Sequence, residues 1–176
     1  MTTSLDTWRS YRVGSGRSMH LLASVNSTYK DIVTSVFSST ITAKAWLASV
    51  AFVLAFVQVS TGARIFGKLQ HVIPLPPRVI APIHRWSGRL AILFTLPVAF
   101  HCIFILGFST YNTRVLVHSI IGSFVYGVVV VKLLMVHSRK YPGWSLPLAG
   151  GTLFAVLVTL WATSAAWYFS NAGVSF

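Results

Sequence analysis

Residues 84–137 read HRWSGRLAILFTLPVAFHCIFILGFSTYNTRVLVHSIIGSFVYGVVVVKLLMVH. The stretch consists of two long apolar runs separated by a short polar turn, STYN, at 109–112. A helix needs about 20 mostly apolar residues to cross about 30 Å of hydrocarbon, and each run has that length. Because the turn is so short, the two helices are expected to form an antiparallel hairpin.

Two further apolar runs flank this hairpin, one on each side. The four predicted spans are residues 44–66, 83–108, 114–137 and 146–169. The chain has 176 residues, of which 55% are apolar and only 9% charged, unlike a soluble domain. We therefore expect an all-α integral membrane four-helix bundle at 44–176, in contact with the lipid bilayer. A polar, Ser/Thr-rich tail is expected at 1–43.

The segment between the first two predicted spans, residues 67–82, contains four prolines: Pro74, Pro76, Pro77 and Pro82. Proline lacks an amide donor and fixes φ, so a continuous helix is not expected here. The sequence predicts an ordered connector at the membrane surface.

The charge balance excludes several classes of function. Fourteen Lys and Arg stand against two acids, Asp6 and Asp31, giving a net charge of +12. The basic residues cluster at span ends, where they meet lipid headgroups, and no soluble segment is long enough to present a basic face to nucleic acid. Both acids lie in the tail, which excludes carboxylate acid–base catalysis in the spans.

Cys102 is the single cysteine, which excludes an internal disulfide and a cysteine metal cage.

Four of the six histidines lie in the hairpin, and metal-binding side chains inside a span indicate function. His101 and His118 are equidistant from the turn at 109–112, and so are His84 and His137. In an antiparallel hairpin the members of each pair lie at the same depth. We call His101 with His118 the inner pair and His84 with His137 the outer pair. Separations of 17 and 19 residues along the two helices place the pairs roughly 25–29 Å apart.

Two neutral imidazoles at one depth on facing helices match the two axial positions of a six-coordinate haem iron. The element HxxxG occurs twice, at His84 with Gly88 and at His118 with Gly122. Residues four apart share a helix face, so each glycine leaves room for a macrocycle beside its histidine. All four hairpin histidines are therefore candidate iron ligands, and both glycines are candidate haem-contacting residues.

Basic residues near the outer pair are candidates for neutralising haem propionates. We assign this role to Lys132 together with Arg85, Arg89 or Arg139. Arg114 is the corresponding candidate at the opposite face. The alternative for Lys132 is that its long side chain reaches toward the membrane surface.

The angular positions of the histidines around each helix are compatible with either one haem or two. At about 100° per residue, the two histidines of each helix do not share one face of an ideal helix. A kink at Pro97, between His84 and His101, can change this phase. With a single haem the inner pair is favoured, because both of its histidines lie well inside their spans. The alternative roles are an interfacial histidine for the outer pair and a polar helix–helix contact for the inner pair.

The paired HxxxG elements, the His-Arg-Trp-Ser-Gly start of span two and the four hairpin histidines resemble the cytochrome b561 and ferric-reductase-like group of transmembrane haem b proteins. The hairpin and the Pro-Gly-Trp…Gly-Gly start of the last span are also similar to an uncharacterised bacterial membrane family. The resemblance covers about residues 60–170 and implies bis-histidine haem b and electron transfer across the bilayer. In that group the ligands come from more than two helices, whereas here spans one and four carry no histidine.

The sequence therefore predicts a membrane cytochrome b-like protein that binds one or two haem b groups and transfers electrons across or within the membrane. A quinol or another redox protein is the expected partner. No flavin or nicotinamide site is seen, which favours an electron-transfer subunit over a complete enzyme. The alternative is a cofactor-free structural or assembly subunit of a membrane complex. We expect a bacterial cell membrane, with an organelle membrane as the alternative because the tail also suits a transit peptide.

Overall fold

The computed structural model describes residues 23–138 and 140–174. The chain divides into two compact units, the second of which comprises Lys44–Ser175. In the first unit, residues 23–34 form helix α1. The hairpin and the four predicted spans belong to the second unit.

The described residues contain helices and no strand. In the described part of the chain, four helices are long and apolar enough to cross a membrane. These are α2 (Thr40–Ile65), α3 (Pro77–Phe100) with a π-helical continuation at His101–Leu106, α4 (Thr113–His137), and α5 (Ser145–Trp161), which continues through a π-helical stretch, Ala162–Ala166, into α6 (Trp167–Ala172). The prediction of an all-α, multi-pass membrane protein is confirmed.

Helix α3 begins at Pro77, earlier than the predicted start at residue 83. The expectation of a non-helical connector over 67–82 is therefore wrong in its last part. Pro77 occupies the first helical position, where the missing amide has no partner to lose and the fixed φ already suits a helix. Pro82 lies inside the helix, which continues past it.

The turn between α3 and α4 is short and well defined, which confirms the antiparallel hairpin. Gly107 ends the π-helical stretch with a φ of 68°, a conformation that other residues rarely adopt. Asn112 caps α4, and its side-chain oxygen accepts a hydrogen bond of 2.9 Å from the amide of Val115. The hydroxyl of Ser119 accepts from the amide of Ser109 at 3.2 Å and donates to its carbonyl at 3.1 Å, which ties the turn to α4.

The interior of the bundle is built mainly from small side chains. The buried apolar residues of the second unit include Ala45, Ala51, Ala55, Ala91, Ala149 and Ala165. Large apolar side chains such as Phe104 and Phe124 are 66% and 67% exposed and face lipid. Small residues at helix contacts let the backbones approach closely.

Two polar contacts join opposite helices in the middle of the bundle. The indole nitrogen of Trp161 donates to the Ser49 hydroxyl at 2.9 Å and links α5 to α2. The Trp161 ring also stacks on Phe52, with 4.5 Å between ring centroids. The Tyr126 hydroxyl donates to Thr95 at 3.2 Å and links α4 to α3.

Candidate functional site

A cavity of about 220 Å³ lies between α2, α3, α4 and α5, beside the hairpin turn. Its walls are mostly apolar or small and include Ala51, Ala99, Gly122 and Trp161. Among the described residues that line it, His118 is the one imidazole. The cavity therefore coincides with the level of the inner pair.

His118 is half-buried and is held between two neighbouring helices. Its Nδ1 lies 2.9 Å from the hydroxyl oxygen of Thr163 on the π-helical stretch that follows α5. Its Nε2 lies 4.0 Å from the sulfur of Cys102, which also lines the cavity. The Nε2 side of the ring thus faces a residue of the cavity wall.

His101 is 2% exposed and begins the π-helical stretch that continues α3. Because Cys102 follows it directly, the contact between Cys102 and His118 places His101 and His118 at nearly the same level in the hairpin. The ring of His101 is not among the cavity walls. Joint ligation of one iron by the inner pair stays a prediction.

Among the described residues, the two histidines of the outer pair have separate hydrogen-bond partners. His84 faces α2, with its Nδ1 2.9 Å from the Thr61 hydroxyl. A Cβ on Gly62 would lie 3.4 Å from the ring of His84. His137 is exposed, and its Nδ1 donates to the carbonyl of Leu133 on its own helix at 3.2 Å. Shared ligation by the outer pair also stays a prediction.

The two HxxxG glycines have different surroundings. A Cβ on Gly122 would have as its nearest neighbour Leu160, at 3.7 Å, and Gly122 lines the cavity together with His118. A Cβ on Gly88 would lie 2.5 Å from the side-chain nitrogen of Gln58. The Gln58 amide donates to the carbonyl of His84. The space beside Gly88 is therefore filled by a side chain from α2.

The basic residues predicted to neutralise propionates have different surroundings. Lys132 donates to the Gln58 side-chain oxygen at 3.5 Å. Arg85 is exposed, and the Arg89 guanidinium lies 5.2 Å from the centre of the Trp86 ring. Arg139 lies outside the described residues.

At the opposite face, Arg114 is engaged by α5 and α6. Its guanidinium donates to the carbonyl of Thr163 at 2.6 Å and lies 3.9 Å from the centre of the Trp167 ring. Arg114 is therefore held against the stretch of chain that also carries the partner of His118.

Sequence reasoning missed three residues that contact the histidines or their glycines: Gln58, Thr61 and Thr163. They lie in α2 and in the continuation of α5, which carry no histidine. The available signal was polarity, because a polar side chain inside a membrane span indicates a role. Which histidine each one meets depends on how the helices pack.

No curated protein and no solved structure matches the chain. A family model described as a family of unknown function, DUF6529, matches residues 18–176. This match takes in all four spans and the whole histidine hairpin. The chain belongs to the DUF6529 family.

Proposed function

We propose that the protein is a membrane haem b protein that transfers electrons, with one haem at the level of the inner pair. His118 would hold the haem iron, and His101 is the candidate for a second ligand. The observation that supports the proposal is the position of His118, which lines an apolar cavity inside the bundle and whose Nε2 points toward Cys102, another lining residue. Neutral imidazole is a common axial ligand of haem iron.

The cavity walls suit a flat apolar group. They combine small residues, Ala48, Ala51, Ala99 and Gly122, with the aromatic rings of Phe52 and Trp161. The volume of about 220 Å³ is below the range of about 300–1,000 Å³ typical of ligand pockets. Two lining residues, Ile103 and Phe108, are 58% and 63% exposed. Both therefore have room to move outward into lipid and enlarge the site.

The protein itself would contribute two things: it would bind the haem, and it would exclude water from the site. A bound haem iron supplies one-electron transfer, the chemistry that the side chains lack. His118 would hold the iron from α4, and the apolar walls would keep water away from the site. Both would influence the haem potential. A quinol or a redox protein is the proposed electron donor, because neither a flavin nor a nicotinamide site is seen in the sequence.

The proposal is for one haem, not two, since the two pairs differ in the space that they offer. Gln58 occupies the position beside Gly88, and His137 bonds to its own helix. A macrocycle at the outer pair requires both side chains to move. At the inner pair the space beside Gly122 is already open.

The test is the visible spectrum of the full-length protein, purified in detergent from cells that make haem and recorded oxidised and then reduced. We expect the bands of a six-coordinate haem b, and we expect His118→Ala to lose them. His71→Ala, at an exposed position in the connector, is the matched control and keeps them. Gel filtration and thermal unfolding establish that each variant is folded.

A folded protein without haem bands contradicts the proposal. It favours the cofactor-free structural subunit, in which His84 and His118 act through their bonds to Thr61 and Thr163. Such interhelical hydrogen bonds stabilise membrane bundles by about 0.6 kcal/mol on average.

A further inference from the structure

The hydrogen bonds around Thr163 determine which nitrogen of His118 carries the proton. The Thr163 hydroxyl lies 2.6 Å from the carbonyl oxygen of Thr159, which can only accept. The single hydroxyl hydrogen therefore points at Thr159, and a lone pair faces His118 Nδ1 at 2.9 Å. Nδ1 must then be the donor. In a neutral imidazole this leaves the lone pair on Nε2, the nitrogen that lies 4.0 Å from the sulfur of Cys102 in the cavity wall.

The same arrangement occurs at the other end of the hairpin. The Thr61 hydroxyl lies 2.6 Å from the carbonyl oxygen of Val57 and 2.9 Å from His84 Nδ1. By the same reasoning, His84 donates from Nδ1 and keeps the lone pair of Nε2. Both HxxxG histidines are therefore held as the Nδ1–H tautomer by a threonine of a neighbouring helix.

We call each threonine, together with its histidine and the HxxxG glycine, a half-site. The outer half-site is Thr61, His84 and Gly88, and the inner half-site is Thr163, His118 and Gly122, and the two have similar arrangements. In each, the threonine lies near the C-terminal end of one span and the histidine near the N-terminal start of its neighbour. The residue three positions before the threonine lies nearest to the HxxxG glycine, Gln58 at Gly88 and Leu160 at Gly122. Helices α2 and α3 thus form a threonine–histidine pair at one end of the bundle, and α5 with its continuation and α4 form a similar pair at the other end. The order of the two residues along the chain is reversed between the pairs. The repetition shows that the threonine–histidine contact occurs with each of the two HxxxG histidines.

We propose that Thr163 is a positioning residue for His118. It fixes the Nδ1–H tautomer and the ring orientation, so that Nε2 is presented to the cavity as a ligand. Thr61 has the same effect on His84. The consequence for iron binding rests on the proposed function, whereas the tautomer itself does not. Metal-ligating histidines usually donate their second nitrogen to such a partner, and losing the partner weakens metal binding about 10- to 100-fold.

Thr163 is itself anchored more firmly than Thr61 is. Its carbonyl oxygen accepts the 2.6 Å hydrogen bond from Arg114, four residues before His118 on α4. Arg114 and His118 thus hold Thr163 from the same helix, one through the backbone and one through the side chain. This double contact fixes the distance between the threonine hydroxyl and the imidazole.

The first measurement needs no haem. In haem-free protein labelled with ¹⁵N-histidine, the nitrogen chemical shifts of His118 report which ring nitrogen bears hydrogen, with His118→Ala used for assignment. We expect the Nδ1–H form in the natural protein, the same form in Thr163→Ser, and a mixture of tautomers in the nearly isosteric Thr163→Val. A natural protein with hydrogen on Nε2 overturns the inference, as does an unchanged tautomer in Thr163→Val.

The second measurement is haem affinity, by titrating haem into the haem-free protein. We expect Thr163→Val to bind about 10- to 100-fold more weakly, and Thr163→Ser to restore binding. Thr61→Val is the matched control, which changes the tautomer of His84 and leaves haem binding intact. Equal haem affinity in Thr163→Val and Thr163→Ser overturns the positioning role. If the tautomer is as expected but no haem binds, the inference about the threonine and the histidine ring is confirmed and the proposed haem function is contradicted.

Discussion

The inner and outer pairs of the histidine hairpin share a threonine-bonded histidine but differ in the space beside it. At the inner pair, His118 borders a cavity of about 220 Å³ with Gly122 in its wall. At the outer pair, the corresponding space beside Gly88 contains the Gln58 side chain. An HxxxG element therefore does not make a binding site by itself. The neighbouring helix decides whether the room beside the glycine stays open.

The backbone also differs between the two pairs. His101 and Cys102 lie in one π-helical stretch and Thr163 in another. Around His84 and Thr61 the helices are regular α. Stretches of π-helix are rare and often occur at functional sites. Their concentration at the inner pair supports the assignment of the functional site to that end of the hairpin.

The largest expected effect is on haem stoichiometry. If only the inner pair binds, the protein contains one haem per chain, and the double variant His84→Ala/His137→Ala retains it. Haem and protein are quantified together on the purified material. Two haems per chain, falling to one in the double variant, would show that both pairs bind haem and would contradict the expected difference between them.

The next effect concerns the open space beside Gly122. Gly122→Leu inserts a side chain into the cavity, and overpacking costs about 1–3 kcal/mol, which corresponds to about 5- to 150-fold weaker haem binding. Gly127→Leu, at an exposed position on the same helix with no neighbour near its Cβ, is the control and should bind normally. Haem titration measures both. Normal binding by Gly122→Leu would place the haem elsewhere.

A smaller effect is expected for Gln58→Leu. This variant places a leucine beside Gly88, as Leu160 lies beside Gly122. The variant loses the amide contacts to His84, Ser87 and Lys132. Interhelical hydrogen bonds in membranes are each worth about 0.6 kcal/mol and at most about 1.7. We expect a lower thermal stability in detergent by an amount in this range, with unchanged haem content. A loss of haem in this variant would show that the outer pair takes part in binding.

The smallest effect is expected for Trp161→Phe, in the wall of the inner cavity. It removes the hydrogen bond to Ser49 but keeps an aromatic ring against Phe52. The expected cost is about 0.6 kcal/mol of unfolding free energy. Ser49→Ala removes the same bond from the other side and should have a similar effect in the same thermal unfolding measurement. A much larger loss in Trp161→Phe alone would indicate that the indole supports the cavity through packing.

Much of the architecture was predictable because it follows from local properties of the chain. The thickness of the bilayer requires long apolar runs, and the short polar turn at 109–112 requires a hairpin. The start of α3 at Pro77 was missed because four closely spaced prolines favour a connector. In a helix, however, the cost of a proline depends on its position, and the first position tolerates it.

The site itself was only partly predictable. Equal distance from the turn gives the depth of a histidine, and the contact between Cys102 and His118 agrees with the depth expected for the inner pair. Distance along the chain does not give the direction in which a ring points. The HxxxG spacing placed Gly122 on the face of His118, but it could not show that the equivalent space beside Gly88 is taken by Gln58.

Composition and spacing along the chain were sufficient to establish four apolar spans and a central hairpin, and to predict two levels of histidines, because apolar length and helical rise are properties of a single helix. Which imidazole meets a threonine, which one borders a cavity and where the helices change to π geometry were decided only by packing. These features involve residues of α2 and α5 that lie far from the histidines in sequence, and their contacts exist only once the helices have assembled.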